Sequence, residues 1–349
     1  MSRSIFDIIK DMFKKIILFL LLFLGFFLFL NKYSLFDNQV KIVKKISEDK
    51  EKIIFEGKKQ NENIKIYFFK NNLKDFIPEI NNQIIVEKIN NKYTIVDFYR
   101  LPAIFYLTLL FLISSFFILK KEFFGAILSL FFSFFVIFSS VIPNILSNSN
   151  PLIAVFIASF FLIPINFYLA HGFNKKTHAA ICGSILGIII SIIISFIFTK
   201  LGYITGTVNE EIGFLTAMTS KTYDFQGIFL ASILIGVIGS IDDVTINQSS
   251  IVEKIINNNK NLKFNDIYKQ AMDVGKDHIN SMINTLILVY TSASMPLLLL
   301  FQISNKNLFS ILNYEIVASE IIRTISATIS IILVIPLTTY FAIKFFKNN

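Results

Sequence analysis

Asp242 and Asp243 stand side by side after seventeen residues, Phe225 to Ile241, that carry no charge. A carboxylate inside a hydrocarbon span costs roughly 2.5–3.5 kcal/mol at the helix centre on insertion scales, and less toward the headgroups. An acidic pair in this position must be offset by a partner, by water or by function. Steps of three and four residues return to one helical face, so Gly236, Gly239, Asp243 and Asn247 share a face, and Asp242 is turned from it by about 100°. A negative pair at a helix C-terminus opposes the macrodipole, which favours a helix that continues past it. A second apolar stretch opens on Asp277, His278, Asn280, Asn284 and Thr285. Asp277 suits a helix N-terminus there, and Asn284 and Thr291 follow on its face. The two stretches thus offer Asp242, Asp243, Thr245, Gln248, Asn284 and Thr285 from one side of a membrane at similar depth. Carboxylate, amide and hydroxyl oxygens so placed can take a proton or coordinate a hard cation such as sodium. The same groups can equally form a hydrogen-bonded lock between helices, and both readings stand.

A second charged pair, Glu320 and Arg323, lies one helical turn apart near the start of the last apolar segment, where the two can pair as a gating or structural ion pair. Three scattered histidines, His171, His178 and His278, lack the thiolates and spacing of a metal site. The sequence holds no Walker-type phosphate loop, nucleophile elbow or zinc-protease helix. We therefore expect no cofactor, no metal and no enzymatic reaction.

The elements that must position these groups are membrane spans. With 54% hydrophobic and 16% charged residues among 349, the chain is too apolar for an ordinary soluble protein, which carries about a quarter charged residues. The formal charge of +9 fits basic flanks on the cytoplasmic side better than nucleic acid, which we exclude as a partner. The lone Cys182 excludes an intramolecular disulfide. Residues 1–30 form a basic cytoplasmic N-terminus and a first anchor, Ile16 to Leu30, with no cleavage site after it. Seven further spans are expected near Leu101–Leu119, Phe123–Ile142, Leu152–Ala170, Ala179–Phe198, Phe225–Ile241, Ile279–Phe301 and Ser319–Ile343, with a charged cytoplasmic linker at 247–278. Lys120-Lys121, Lys175-Lys176, the lysines of the linker and Lys344 and Lys347 all fall on one side, which puts both termini in the cytoplasm. Pro164, Pro296 and Pro336 predict kinks within their spans. Small residues recur every fourth position at Gly183, Gly187, Ser191 and Ser195, and again at Ser232, Gly236 and Ser240, with Gly239 nearby; such faces let helix backbones approach closely.

Residues 31–100 differ in composition, with frequent charges and five short alternating runs that read as strands. The anchor's orientation puts this small β domain outside the cytoplasmic membrane, with turns at Gly57-Lys58 and Asn81-Asn82 and a longer loop in the polar 60s. Five short strands are near the lower limit for an independent core, so residues 31–100 are expected to pack against the membrane domain or an envelope partner.

Several motifs resemble one family. Gly239-x-x-Asp242-Asp243-Val-Thr-Ile-x-Gln248-x-Ser250, Val-Gly275-Lys-Asp277-His278-Ile-x-Ser281-x-x-Asn284-Thr285, Ser294-Met-Pro296, Gly172-Phe-Asn174-Lys-Lys-Thr and the entry Asp97-Phe-Tyr-Arg100 are similar to the YibE/F-like family of multi-pass membrane proteins. So are Glu315-x-x-x-x-Glu320-x-x-Arg323-Thr and Pro336-Leu-Thr338-Thr339. The resemblance implies a polytopic fold and covers the external domain poorly beyond Asp97 to Arg100. With the spans and strands read above, we expect an α-helical polytopic membrane protein of about eight transmembrane helices with a small extracytoplasmic β-rich domain, in the cytoplasmic (inner or plasma) membrane of a bacterium. It implies no settled activity. The functional expectation is a proton- or sodium-coupled transporter or permease component centred on Asp243, embedded in the lipid bilayer as a homo-oligomer or beside a second YibE/F-like subunit. The competing expectation is a non-transporting accessory protein whose external domain binds a partner or an exported chain. A fainter similarity to the SecD and SecF export-accessory proteins would unite the two.

Overall fold

Five segments between Gln39 and Phe98 alternate apolar and polar side chains closely enough to bury one face each. The computed structural model describes residues 38–59, 62–70, 77–208, 210–219, 221–304 and 307–347. The expected anchor at residues 1–30 lies outside them. The chain divides into two compact units at Ile118 and Leu119.

In the first unit, β1 (Gln39–Glu48), β2 (Lys52–Lys59), β3 (Glu62–Phe69), β4 (Gln83–Ile89) and β5 (Lys92–Phe98) form a closed barrel in the order β1-β2-β3-β5-β4. All pairs are antiparallel except β3 with β5. This is the five-stranded Greek-key arrangement of OB-type barrels, and closure leaves no free sheet edge. Such an architecture assigns no ligand by itself. The interior is apolar throughout: Val40, Ile42, Ile53, Phe55, Ile66, Phe68, Ile84, Val86 and Ile95.

Two expected turns fare differently. Asn81 has a φ of 75° in the turn before β4, whereas Gly57 is not in a turn at all. It lies inside β2, opposite Ile42 and Ile64, and a Cβ there would come within 2.3 Å of Ile66 Cδ1 and 2.5 Å of Val40 Cγ1. The glycine makes room for its neighbours in a narrow barrel. The longer loop expected in the 60s is also absent, since β2 and β3 stay paired down to Lys59 and Glu62. After the barrel, the Arg100 guanidinium donates to Asp97 Oδ2 at 2.6 Å just ahead of helix α1 (Leu101–Leu119).

The second unit is helical: α2 (Phe123–Leu146), α3 (Pro151–His171), α4 (Lys175–Leu201), α5 (Glu210–Met218), α6 (Phe225–Asn258), α7 (Phe264–Ala293), α8 (Met295–Ile303), α9 (Leu308–Leu312) and α10 (Glu315–Lys347). Side-chain caps start three of the long helices. Asn150 Oδ1 accepts from Ile153 N, Asn174 Oδ1 from Thr177 N and Asp224 Oδ1 from Gly227 N, each satisfying one of the amides a helix start leaves open. Six helices among the described residues are long and apolar enough to cross a membrane, and the bent pair α7–α8 would make seven.

Two expected boundaries move. The linker at 247–278 is helix on both sides of a short break after Asn258, because residues 244–252 carry no charge and Val252 packs with Ile267, Ala271, Ala342 and Ile343 in a small apolar cluster. The expected span Ile279–Phe301 is broken, with α7 and α8 meeting at 65°. Pro296, in the first turn of α8, has no N–H to continue the ladder and its ring clashes with the carbonyl four residues back. Pro164 and Pro336 lie inside continuous helices.

The core of this unit is α4, α6 and α10. Gly183 and Gly187 bring α4 against the others: a Cβ at Gly183 would lie 2.0 Å from Thr338 Oγ1, and one at Gly187 2.6 Å from Val334 Cγ2 and 2.8 Å from Ile241 Cδ1. Gly236 lies near the Tyr290 hydroxyl of α7, whereas Gly239 has nothing within 4 Å.

Candidate functional site

Where α4, α6 and α10 meet, α6 turns a polar edge inward. Thr245 and Ser184 share a hydrogen bond of 2.9 Å, and both side chains are fully buried. One turn further along, the buried Gln248 donates from Nε2 to Thr339 Oγ1 at 2.7 Å and to Ala271 O at 3.0 Å, tying α6 to α10 and α7. Thr339 in turn donates to Ile335 O. Gly275 lies against this amide, 3.1 Å from Gln248 Oε1 to the position a Cβ would take. Ser249 Oγ, also buried, donates to Lys176 O of α4 at 2.9 Å.

Asp242 belongs to this inward edge and is the member left without a partner. Its Oδ1 is buried and makes no hydrogen bond. An ionised carboxylate with a buried, unpaired oxygen requires a proton, a cation or water to offset its charge. His278 of α7 is in a similar state, with Nε2 buried and unpartnered. Gly275 meets Gln248 and Tyr290 meets Gly236, so α7 runs antiparallel to α6, and Asp242 and His278 fall in the same stretch of that pairing.

The remaining sequence-predicted residues are not gathered with them. Asp243, Gly239 and Asn247 share a face as their spacing requires, but that face is exposed on the isolated chain. Asn284 and Thr285 are exposed as well, and Thr285 Oγ1 donates to the Ser281 carbonyl of its own helix. Asp243, Asn284 and Thr285 thus lie on exposed faces of the isolated chain: a rotation of about 100° separates the two aspartates, and the inward side of α6 carries Asp242. Gln248 occupies the lock that the sequence left open as an alternative.

At the other end of the bundle, Glu320 and Arg323 do pair, with Arg323 Nε 3.3 Å from Glu320 Oε2. Arg323 Nη1 also donates to Ser232 Oγ of α6 at 2.7 Å, and its guanidinium lies 5.1 Å from the centre of the Phe229 ring. The pair borders a cavity of about 500 Å³ between α5, α6, the α7–α8 break and α10. Glu315 holds the loop whose Gly206 lines one side, since its Oε1 accepts from Thr205 N at 2.6 Å, Thr205 Oγ1 at 2.8 Å and Gly206 N at 3.0 Å. Gly206 is needed in that loop: its φ is 76°, and a Cβ would meet Phe225 O at 2.4 Å.

The sequence pattern of one family, described as "YibE/F-like protein", matches residues 107–348. The chain belongs to the YibE/F-like family. No curated protein and no solved structure matches it. The matched region takes in the whole helical unit but not the barrel. The YibE/F-like motifs now have places: Asp242 at the inward edge, Gln248 and Thr339 in the lock, Glu315 on the loop, and Glu320 with Arg323 on the cavity at the other end of the bundle. Ser184, Ser232 and Glu315 were not singled out for these contacts from sequence. Their signal was weak but present: Ser184 lies next to Gly183 on a small-residue face, and Ser232 begins one.

Proposed function

We propose that this YibE/F-like protein is a gradient-coupled carrier, a secondary transporter or permease component, in which Asp242 binds and releases the coupling proton or sodium ion. The observation that carries this reading is the buried, unpartnered Asp242 oxygen in a helix uncharged from Phe225 to Ile241 and again from Val244 to Val252. Carboxylates held within spans characteristically mark ion and proton pathways. The role expected for Asp243 passes to its neighbour because Asp243 is exposed. The buried Nε2 of His278 on the adjoining helix offers a second group able to exchange a proton. In this reading the protein lies in the cytoplasmic membrane of a bacterium with both termini in the cytoplasm and the barrel outside. It performs no chemical conversion, and assembles as a homo-oligomer or with a second YibE/F-like subunit.

The test is ion flux in proteoliposomes holding the purified protein, with proton and sodium gradients imposed separately. Flux under one gradient, lost in Asp242→Asn, is the expected result; none above empty vesicles under either gradient would sink the carrier reading.

One observation favours the accessory reading in its place. Val43, Ile46, Phe69 and Val96 are 41–49% exposed on the barrel, and apolar side chains on an outer barrel wall suit a partner surface. Removing residues 36–95 would abolish that role.

A further inference from the structure

The cavity at the Glu320 end of the bundle and its neighbour make a second candidate site. Beside the cavity bordered by Arg323 runs a groove of about 250 Å³ between α7, α8 and α10. Ser294, Leu297 and Glu320 line both, so the α7–α8 break is a shared wall with a charged chamber on one side and an apolar channel on the other. The groove is built from side chains such as Ile287, Leu298, Ile321 and Ile325, which are 38–51% exposed on the isolated chain. It therefore lies on the outside of the bundle, where hydrocarbon would cover it in a membrane.

Charge selects the head of the ligand. The chamber wall carries one cation, Arg323, and two carboxylates, Glu211 and Glu320. Ser232 and the Phe229 ring fix the guanidinium, yet its buried Nε has no acceptor in hydrogen-bond geometry, although Glu320 Oε2 is 3.3 Å away. The Arg323 side chain is nevertheless 21% exposed, and the guanidinium N–H groups that face the chamber are suited to a phosphate oxygen. A purely anionic head would face the two carboxylates, whereas a head with both signs satisfies all three groups. Depth agrees as well: Glu320 and Arg323 are five and eight residues into α10, about 7–12 Å along the axis at 1.5 Å per residue. If α10 enters the membrane at Glu315, that is the boundary between headgroups and acyl chains.

We propose that chamber and groove together bind one zwitterionic phospholipid of the surrounding bilayer, with its phosphate on Arg323, its ammonium on Glu320 and Glu211, and one acyl chain in the apolar groove. This site is separate from Asp242 and does not depend on whether the protein carries an ion.

The experiment is native mass spectrometry of the full, delipidated chain in detergent, titrated with short-chain phosphatidylethanolamine, phosphatidylcholine or phosphatidylglycerol. Either zwitterionic lipid is expected to bind about tenfold more tightly than the anionic one, the equivalent of one well-placed interaction. Glu211→Gln should reduce that preference, because it removes a partner of the ammonium, and Arg323→Gln should weaken binding of all three lipids, because each carries the phosphate. Because Arg323 also ties α10 to α6, Thr291→Phe provides a check at an exposed groove position away from the charges. It should weaken lipid binding while leaving binding of the tail-less glycerophosphoethanolamine unchanged. Phosphatidylglycerol binding as tightly as the zwitterionic lipids would overturn the proposal. So would lipid binding untouched by Thr291→Phe, or binding of the tail-less head alone with no gain from acyl chains.

Discussion

The barrel and the helical unit put their polar groups in opposite places. Among the described residues the barrel buries no polar side chain; its charges pair on the surface, as Glu48 does with Lys45 and Lys70. The helical unit buries Ser184, Thr245, Gln248 and Ser249 in hydrogen bonds, and leaves Ser191 Oγ, Ser195 Oγ, Thr199 Oγ1, Thr338 Oγ1 and Asp242 Oδ1 buried without partners. Apolar surface is enough to hold the barrel closed. Helices surrounded by hydrocarbon have little hydrophobic drive to associate, so close packing and polar contacts must specify their pairing. That accounts for the Gln248 lock. It does not account for Asp242, whose carboxylate costs stability and bonds to nothing through Oδ1, and the excess is what points to function.

Substitutions can break this contrast, and their effects descend in size. Phe55 fills the barrel interior at 1% exposure, so Phe55→Ala should cost about 3–5 kcal/mol, read as faster hydrogen exchange of β2 and β3 amides. A loss below 1 kcal/mol would mean that the apolar interior does not hold the barrel. Gln248→Leu keeps the volume but leaves the Ala271 carbonyl and Thr339 without their donor, which should cost about 1–3 kcal/mol in exchange of α6 and α10 amides. Flux per folded molecule should survive, because the lock is structural; flux lost at unchanged stability would move Gln248 into the pathway.

The smallest effect is expected at Glu48. Hydrogen bonds from Lys45, then Lys70, hold its carboxyl at about 2, below the ordinary 4.5. A depressed carboxyl contributes stability that is complete above its unfolded value and is lost as pH falls through the folded one. The barrel should therefore weaken between pH 4.5 and 2, and Glu48→Gln should flatten that part of the profile. The change will be slight, since Glu48 is a solvent-screened surface group. An unchanged profile would show that the lysine pairs do not act on folding.

Much of this was legible in the sequence because composition and periodicity carry it. The β region, the apolar helices, the pairing of Glu320 with Arg323 and the close-packing role of Gly183 and Gly187 all follow from local spacing. What spacing cannot give is the direction in which a helix is turned. Asp242 and Asp243 are equivalent by composition, and only the packing of α4 and α10 against α6 selects Asp242 as the inward one. The helical form of the linker was hidden for a related reason: the charges of the 253–278 region mark only a polar connection, whereas Val252, Ile267 and Ala271 supply a buried contact that keeps both helices wound. Gly57 read as a turn because the crowding by Val40 and Ile66 is invisible until the barrel closes.

The neighbouring aspartates provide the most direct measurement. Asp242→Asn and Asp243→Asn remove the same charge and keep nearly the same shape, one residue apart. With both variants reconstituted at equal protein content, gradient-driven flux is expected to fall at least tenfold in Asp242→Asn, about 1.4 kcal/mol or more, and to stay within about twofold in Asp243→Asn. Equal losses in the two, or the reverse order, would contradict the assignment of the coupling site to the buried carboxylate.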